Sequence, residues 1–430
     1  MSGGDAYRVE ALDHVLTAEV HVPGSKSIAN RALVCAALAA GASTLRSVAP
    51  GDDTSAMLDC LGGLGVVCTA LDDVAETVEV LGCDGRPRPG ERVLDAQLAG
   101  TTSRFVTALA ALADGCSTID GGEPLRRRPM GPLHDALAEL GAVVRAAAEP
   151  GHLPVTVCGP VGRRDPVGPL RIRGDVSSQY ITALMLIGPY LPDGLQLVLT
   201  TPLVSRSYVG ITAAVMGAFG VDGVDVGEAS VAVPAGGYVG ASYTVEPDAS
   251  SASYPLAAAA IAGGTVHVPG LGTASLQGDA AFAAVLASMG CDVVQTATGT
   301  TVTREGPLRG IDIDMVDMSD LVPTLAVVAP FAVTPTRIRG VGFIRGKESD
   351  RIGDLCRELH RAGIGADEHA DGLTVHPGMP RPVRLSTYDD HRLAMALALF
   401  GLVVDGIIIE EPDVVSKSWP GYWEMLEGLR

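Results

Sequence analysis

A chain of 430 residues exceeds one small hydrophobic core, so two domains, or one large one, are expected. With 47% hydrophobic and 19% charged residues it is globular rather than disordered, and only 4% aromatics leave the core to Ala, Val and Leu. A formal charge of −19 excludes nucleic acid or an anionic membrane as partner, and leaves a small anionic ligand possible only where Lys and Arg are locally concentrated.

No charged-then-apolar leader opens the sequence, and the apolar stretch over 393–409 is interrupted by Asp405, so a soluble, cytoplasmic protein is expected. The eight cysteines (35, 60, 68, 83, 116, 158, 291 and 356) show no CxxC pair and no metal-ligand spacing, and read as buried, reduced thiols.

The first informative stretch is PGSKSIANR, residues 23–31, which runs into the alanine-rich ALVCAALAA. Pro23 and Gly24 end a strand-like segment, Ser25 and Ser27 can cap free N–H groups, and Lys26 and Arg31 add charge to the positive end of a helix. That construction suits phosphate or carboxylate. It is not a P-loop, because Ser25 stands where that motif needs Gly before Lys26. Alone, such a start is ordinarily only a cap.

The pattern returns, however. Polar starts on small-residue apolar helices recur at AGTTSRFVTALAALADG (99–115), GDVSSQYITALMLIGPYL (174–191), PDASSASYPLAAAAIAGG (247–264), DMSDLVPTLAVVAPFA (317–332) and YDDHRLAMALALFGL (388–402). Adjacent copies lie roughly 70 to 76 residues apart, and six units account for the chain. Between them runs a second, amphipathic helix ending in L-x-x-φ-G near Gly65, Gly141, Gly220, Gly290 and Gly363, the glycine suiting a left-handed C′ position. Alternating stretches such as STLRSV, LQLVLT and TVHVPG mark short strands.

Each unit therefore reads as helix, strand, helix, strand, an α+β pattern whose units must share a core. Three units per half place one domain at 25–245 and a discontinuous one at 1–24 and 246–430, with the Gly-rich 236–248 as crossing and a two-strand hinge between them.

Chemically capable residues gather at the apolar helix starts: Lys26, Ser27 and Arg31; Thr101 and Arg104; Ser177, Ser178 and Gln179; Ser250, Ser251 and Ser253; Asp320; and Asp390, His391 and Arg392. Several positive helix ends facing one ligand select a polyanion. Ser250, Ser251, Ser253, Asp52 and Asp53 read as plain caps. In IRGKESDRI, Lys347 and Arg351 stand one helical turn apart with Glu348 between them, and could grip one anion. Arg126, Arg127 and Arg128 include at least one solvent-facing side chain, and Lys417 in SKSWP is either a ligand contact or a solvated tail lysine. GLGTAS at 270–275 lacks the third glycine and the context of a dinucleotide fingerprint.

Taken together, PGSKSIANRAL, AGTTSRF, VSSQY, DASSASY, RGKESDRI, YDDHRLAM and SKSWP resemble the enolpyruvyl transferase family, in order, from about residue 20 to 425. The resemblance implies a two-domain, inverse α/β-barrel-like fold of six βαβαββ repeats. It also implies transfer of the enolpyruvyl group of phosphoenolpyruvate to the 5-hydroxyl of shikimate 3-phosphate with release of phosphate and without metal or organic cofactor; a monomer is expected, and Gly100 leaves room for glyphosate to compete with phosphoenolpyruvate.

By position, Lys26, Ser27 and Arg31 resemble residues binding both substrates, and Arg128, with Gly100 and Thr101, the phosphoenolpyruvate site. Ser177, Ser178, Gln179, Ser205 and Tyr208 resemble the shikimate-phosphate pocket, and Arg351, Arg392 and Lys417 a cationic clamp on phosphoenolpyruvate. Lys347 matches a phosphate contact, Asp320 the base for the 5-hydroxyl, Glu348 a proton shuttle at the methylene carbon, and His391 an orienting or relaying group.

Two positions depart from the family pattern: Leu98 and Phe343 stand where Asn is frequent. The alternative within the family acts on UDP-N-acetylglucosamine and carries a reactive loop cysteine; Cys116, nearest by position, reads as packing. A non-catalytic anion binder is the alternative of another class, and the carboxylates Asp320 and Glu348 argue against it.

Overall fold

The computed structural model describes residues 6–71, 76–162 and 168–430, so the first five residues of the segment assigned above to the discontinuous domain lie outside the description. The chain forms two compact units, Gly24–Val245 and Met1–Pro23 with Glu246–Arg430.

One repeat shows how the pattern builds each unit. Strand Arg92–Asp95 leads into helix Gly100–Ala110 and strand Gly115–Asp120, then helix Gly131–Glu139 and strands Val143–Ala146 and Val155–Gly159. The first two strands are parallel, which requires the intervening helix as crossover, and the last two join them antiparallel. The repeat beginning at Leu170–Ile172 has the same topology. The repeat built on helix Lys26–Leu38 borrows its leading strand, Ser242–Thr244, from the end of the unit, where it pairs parallel to Ala42–Arg46.

The second unit borrows from the other end of the chain. Leu16–Glu19 pairs parallel to Gly264–Pro269, and Tyr7–Arg8 pairs antiparallel to Ile407–Ile409. These two strands account for the unit's discontinuity, because a six-part repeat is cut at a point other than its own boundary.

The helices sort by composition. Lys26–Leu38, Gly100–Ala110 and Ser178–Ile187 are buried on nearly every side, as are Ala249–Ala262, Val322–Val328 and His391–Ala398 in the other unit. Ala, Ser and Thr allow such close approach. The second helices are amphipathic and end at left-handed glycines: Gly65, Gly141, Gly220, Gly290 and Gly363 all have positive φ, as the L-x-x-φ-G signature requires.

Three readings need correction. Cys116 and Cys158 are joined in a disulfide, opposed across adjacent antiparallel strands. A separation of 42 residues carries no local signature, since only the strand register brings the pair together. Ser25 makes no side-chain cap, and its buried hydroxyl has no hydrogen-bond partner. Residues 347–350 are not helical, the helix beginning at Gly353. Among the described residues no group of His, Cys, Asp or Glu is placed to hold a metal, and no helix is long and apolar enough to cross a membrane.

The C-terminal end of helix Lys26–Leu38 is closed by Tyr190, whose hydroxyl donates to the Leu38 carbonyl and accepts from the Tyr238 N–H at 3.0 Å. Tyr190→Phe leaves the buried Tyr238 N–H without that partner, while the Leu38 carbonyl still accepts from the Gly85 N–H, and is expected to lower stability by about 1–3 kcal/mol. In a denaturant titration the midpoint falls with the slope unchanged.

Candidate active site

In unit Gly24–Val245 the polar helix starts form one cluster. Lys26 Nζ donates to Asp53 at 2.9 Å, with both side chains largely buried. Asp53 is thus more than the plain cap expected from its helix start: it holds the lysine. Arg31 donates to Thr212 at 2.8 Å, to the Ser27 carbonyl at 2.6 Å and to the Tyr208 carbonyl at 3.3 Å. It lies between the rings of Phe105 and Tyr208. Burial pulls its guanidinium down to about 10, so it stays charged at neutral pH.

Gln179 Nε2 donates to Thr101 Oγ1 at 3.2 Å, and Ser177 accepts from the Gln179 N–H, capping the helix that Ser178 begins. Ser205, buried and left-handed at φ 53°, precedes the helix carrying Tyr208. The three arginines separate cleanly. Arg126 pairs with Asp120 and Arg127 with Glu123 on the surface, whereas Arg128 is buried. A Cβ on Gly100 would lie 2.5 Å from Arg128 Nη1, so the glycine makes room for the guanidinium. Leu98 is partly exposed and covers Gly122, while Phe343 packs on the core of the other unit.

The second unit holds a denser cluster. Asp320 accepts from Arg351 Nη1 and Arg392 Nη2, both at 2.9 Å, with Lys347 Nζ at 3.9 Å. Although Lys347 and Arg351 share no helix, both reach the same carboxylate. Arg351 also binds Glu348 at 2.7 Å and Asp390 at 2.7 and 3.2 Å. Asp390 in turn caps helix His391–Ala398 by accepting from the Arg392 N–H, and accepts from Ser349 at 3.0 Å. His391 is buried beside it, and Lys417 is buried rather than a solvated tail lysine.

The electrostatics follow from this packing. Burial raises the Asp320 carboxyl, but Arg392, Lys347 and Arg351 outweigh it and hold the group well below the usual range. Burial opposes charge on Arg351 too, yet Asp390, Glu348 and Asp320 raise it further. Asp279 behaves in the opposite way: burial, aided by Asp320, pushes it up to about 7 despite a hydrogen bond from Ser250.

The sequence matches the family model described as EPSP synthase (3-phosphoshikimate 1-carboxyvinyltransferase) over residues 12–426. The chain belongs to the EPSP synthase family. It is 41% identical over 420 residues to the 3-phosphoshikimate 1-carboxyvinyltransferase of Nostoc sp. strain PCC 7120, covering 97% of this chain and 98% of that protein. With the enzyme of the same name from Methanosphaerula palustris the identity is 43% over 408 residues, covering 94% and 95%. The solved EPSP synthase of Acinetobacter baumannii superposes with a TM-score of 0.80 at 22% identity over 98% of this chain and 97% of that one, which establishes the EPSP synthase fold.

Asp279 supplies a pH test of the cluster's electrostatics. A raised folded-state pKa means the folded protein keeps a proton that the unfolded chain has already lost, so stability falls as pH rises from about 4 to 7. Asp279→Asn removes that dependence. Its melting temperature relative to wild type should be more favourable at pH 8 than at pH 5, and an equal difference at both would contradict the assignment.

Proposed function

We propose that this enolpyruvyl transferase moves the enolpyruvyl group of phosphoenolpyruvate to the 5-hydroxyl of shikimate 3-phosphate through the two clusters described above. The observation that supports these roles is the convergence of Lys347, Arg351 and Arg392 on Asp320, with Glu348 on the same guanidinium. Three cations suit the carboxylate and phosphate of the donor, and Lys417 and Arg128 add to them. Gly100 and Thr101 offer backbone to the donor phosphate. Ser177, Ser178, Gln179, Ser205 and Tyr208, with Lys26, Ser27 and Arg31, take the acceptor.

Asp320 gains basicity when the donor binds. While paired with three cations it is held ionised and accepts protons poorly. Donor carboxylate and phosphate oxygens compete for the same cations, and the released carboxylate can then take the proton of the 5-hydroxyl. Glu348 delivers a proton to the methylene carbon, the hydroxyl oxygen bonds to C2, and a tetrahedral adduct forms. Loss of a methyl proton then rebuilds the double bond as the C2–O bond to phosphate breaks. Lys26, paired with Asp53, stabilises or protonates the bridging oxygen, and His391 orients the group beside Asp390. A monomer in the cytoplasm completes this reading.

Asp320→Ala and Glu348→Ala are each expected to lower kcat by about 10²-fold or more while changing substrate binding far less. Phosphate release is the assay, run with phosphoenolpyruvate and either shikimate 3-phosphate or UDP-N-acetylglucosamine. Turnover with the sugar nucleotide alone would overturn the substrate assignment, and an unchanged kcat would remove the mutated residue from the mechanism.

Gly100→Ala must displace Arg128. It is expected to raise the KM for phosphoenolpyruvate about tenfold, corresponding to about 1.4 kcal/mol, with kcat less affected. Glyphosate should compete with phosphoenolpyruvate in the wild type, and inhibition independent of donor concentration would exclude a shared site.

A further inference from the structure

Glu358 lies on helix Gly353–Arg361, is completely buried, and has no part in the roles above. Tyr388 Oη donates to its Oε1 at 2.7 Å and the Ser386 N–H to its Oε2 at 2.9 Å. Arg361 Nη1 donates to both oxygens, at 3.1 and 3.0 Å, and to Ser386 Oγ at 3.0 Å. Arg357 stacks on the Tyr388 ring, 5.5 Å from its centroid. Removing one partner from a buried carboxylate so matched costs more than the single bond lost.

The segment it holds is unusual. Tyr388 and Asp389 are both left-handed, at φ 54° and 56°, which side chains other than glycine adopt only when their surroundings impose it. The next residue is Asp390, fully buried, which caps helix His391–Ala398 and accepts two bonds from Arg351. The two neighbouring hydroxyls are anchored as well, Ser386 to Glu410 at 2.6 Å and Thr387 to Glu411 at 3.1 Å.

We propose that Glu358 is a positioning residue for the donor-binding cations: through Tyr388 and Ser386 it fixes the left-handed turn that aims Asp390, and thereby Arg351 and Arg392. The identity of the donor rests on the function proposed above. A carboxylate serving only to anchor its helix would pair with Arg361 and have no need of the Tyr388 hydroxyl. Arg361 is itself partly exposed, whereas the Tyr388 and Ser386 bonds lie on the path to Asp390.

Tyr388→Phe keeps the ring over Arg357 and removes one bond; Glu358→Gln keeps the volume and removes the charge. Each, with the double variant, is measured for KM toward phosphoenolpyruvate and shikimate 3-phosphate, for melting temperature, and for amide exchange over residues 386–392. The single variants should raise the donor KM about tenfold with the acceptor KM unchanged, and speed exchange in that segment. Because the Tyr388–Glu358 bond is common to both substitutions, the double variant should be impaired by less than the sum of the two singles.

The proposal is overturned if Tyr388→Phe leaves both donor KM and exchange as in wild type, if both substrates' KM values rise together, or if the two substitutions are additive. Wild-type turnover, run in parallel, judges the transferase reading separately. Should that fail, titration with inorganic phosphate replaces the donor KM: weaker binding in Tyr388→Phe together with faster exchange supports the positioning role, and unaltered values exclude it.

Discussion

A completely buried guanidinium governs the second unit. Arg351 is 1% exposed, and an unmatched charge there would cost several kcal/mol. It is matched by three carboxylates on three different segments: Asp320 ahead of helix Val322–Val328, Glu348 in the loop before helix Gly353–Arg361, and Asp390 at the start of helix His391–Ala398. No one of these segments can shift without uncovering charge. The repeat architecture makes the convergence possible, because two of its buried helices begin at equivalent points and the Arg351 loop lies between them in sequence.

The repeats were legible because their signals are local. Small-residue helices, L-x-x-φ-G endings and short alternating strands are each contained within a dozen residues, and the left-handed glycines at 65, 141, 220, 290 and 363 agree with them. Candidate residues at helix starts were visible for the same reason. Partnerships were not. Nothing near Asp53 indicates that it holds Lys26, and nothing near Glu358 indicates Tyr388, 30 residues away. The Cys116–Cys158 bond likewise depends on strand register rather than spacing. Among Arg126, Arg127 and Arg128, burial separates one from two whose neighbouring acids keep them at the surface.

The two units meet the demands of charge differently. In Gly24–Val245, Arg31 is surrounded by hydroxyls, carbonyls and aromatic faces, which fix its direction without neutralising it. Such a group offers a standing positive charge. In the other unit every charge of the central cluster has a counterpart of opposite sign. The first arrangement suits holding a ligand, and the second suits moving protons, since carboxylates are present to receive and return them.

Pairing Lys347, Arg351 and Arg392 with carboxylates also resolves a conflict posed by composition. A chain of net charge −19 repels anions at a distance, yet its chemistry requires one that carries both carboxylate and phosphate. Buried cations waiting uncompensated for such a ligand would destabilise the fold. With Asp320 and Glu348 in place, binding in the proposed mechanism becomes an exchange of one set of anions for another within a fixed array of cations. The exchange leaves the carboxylates less tightly paired and more basic. In that mechanism the groups that neutralise the cluster are the ones that acquire acid–base competence when the donor replaces them, and binding and proton transfer are coupled through the same few ion pairs.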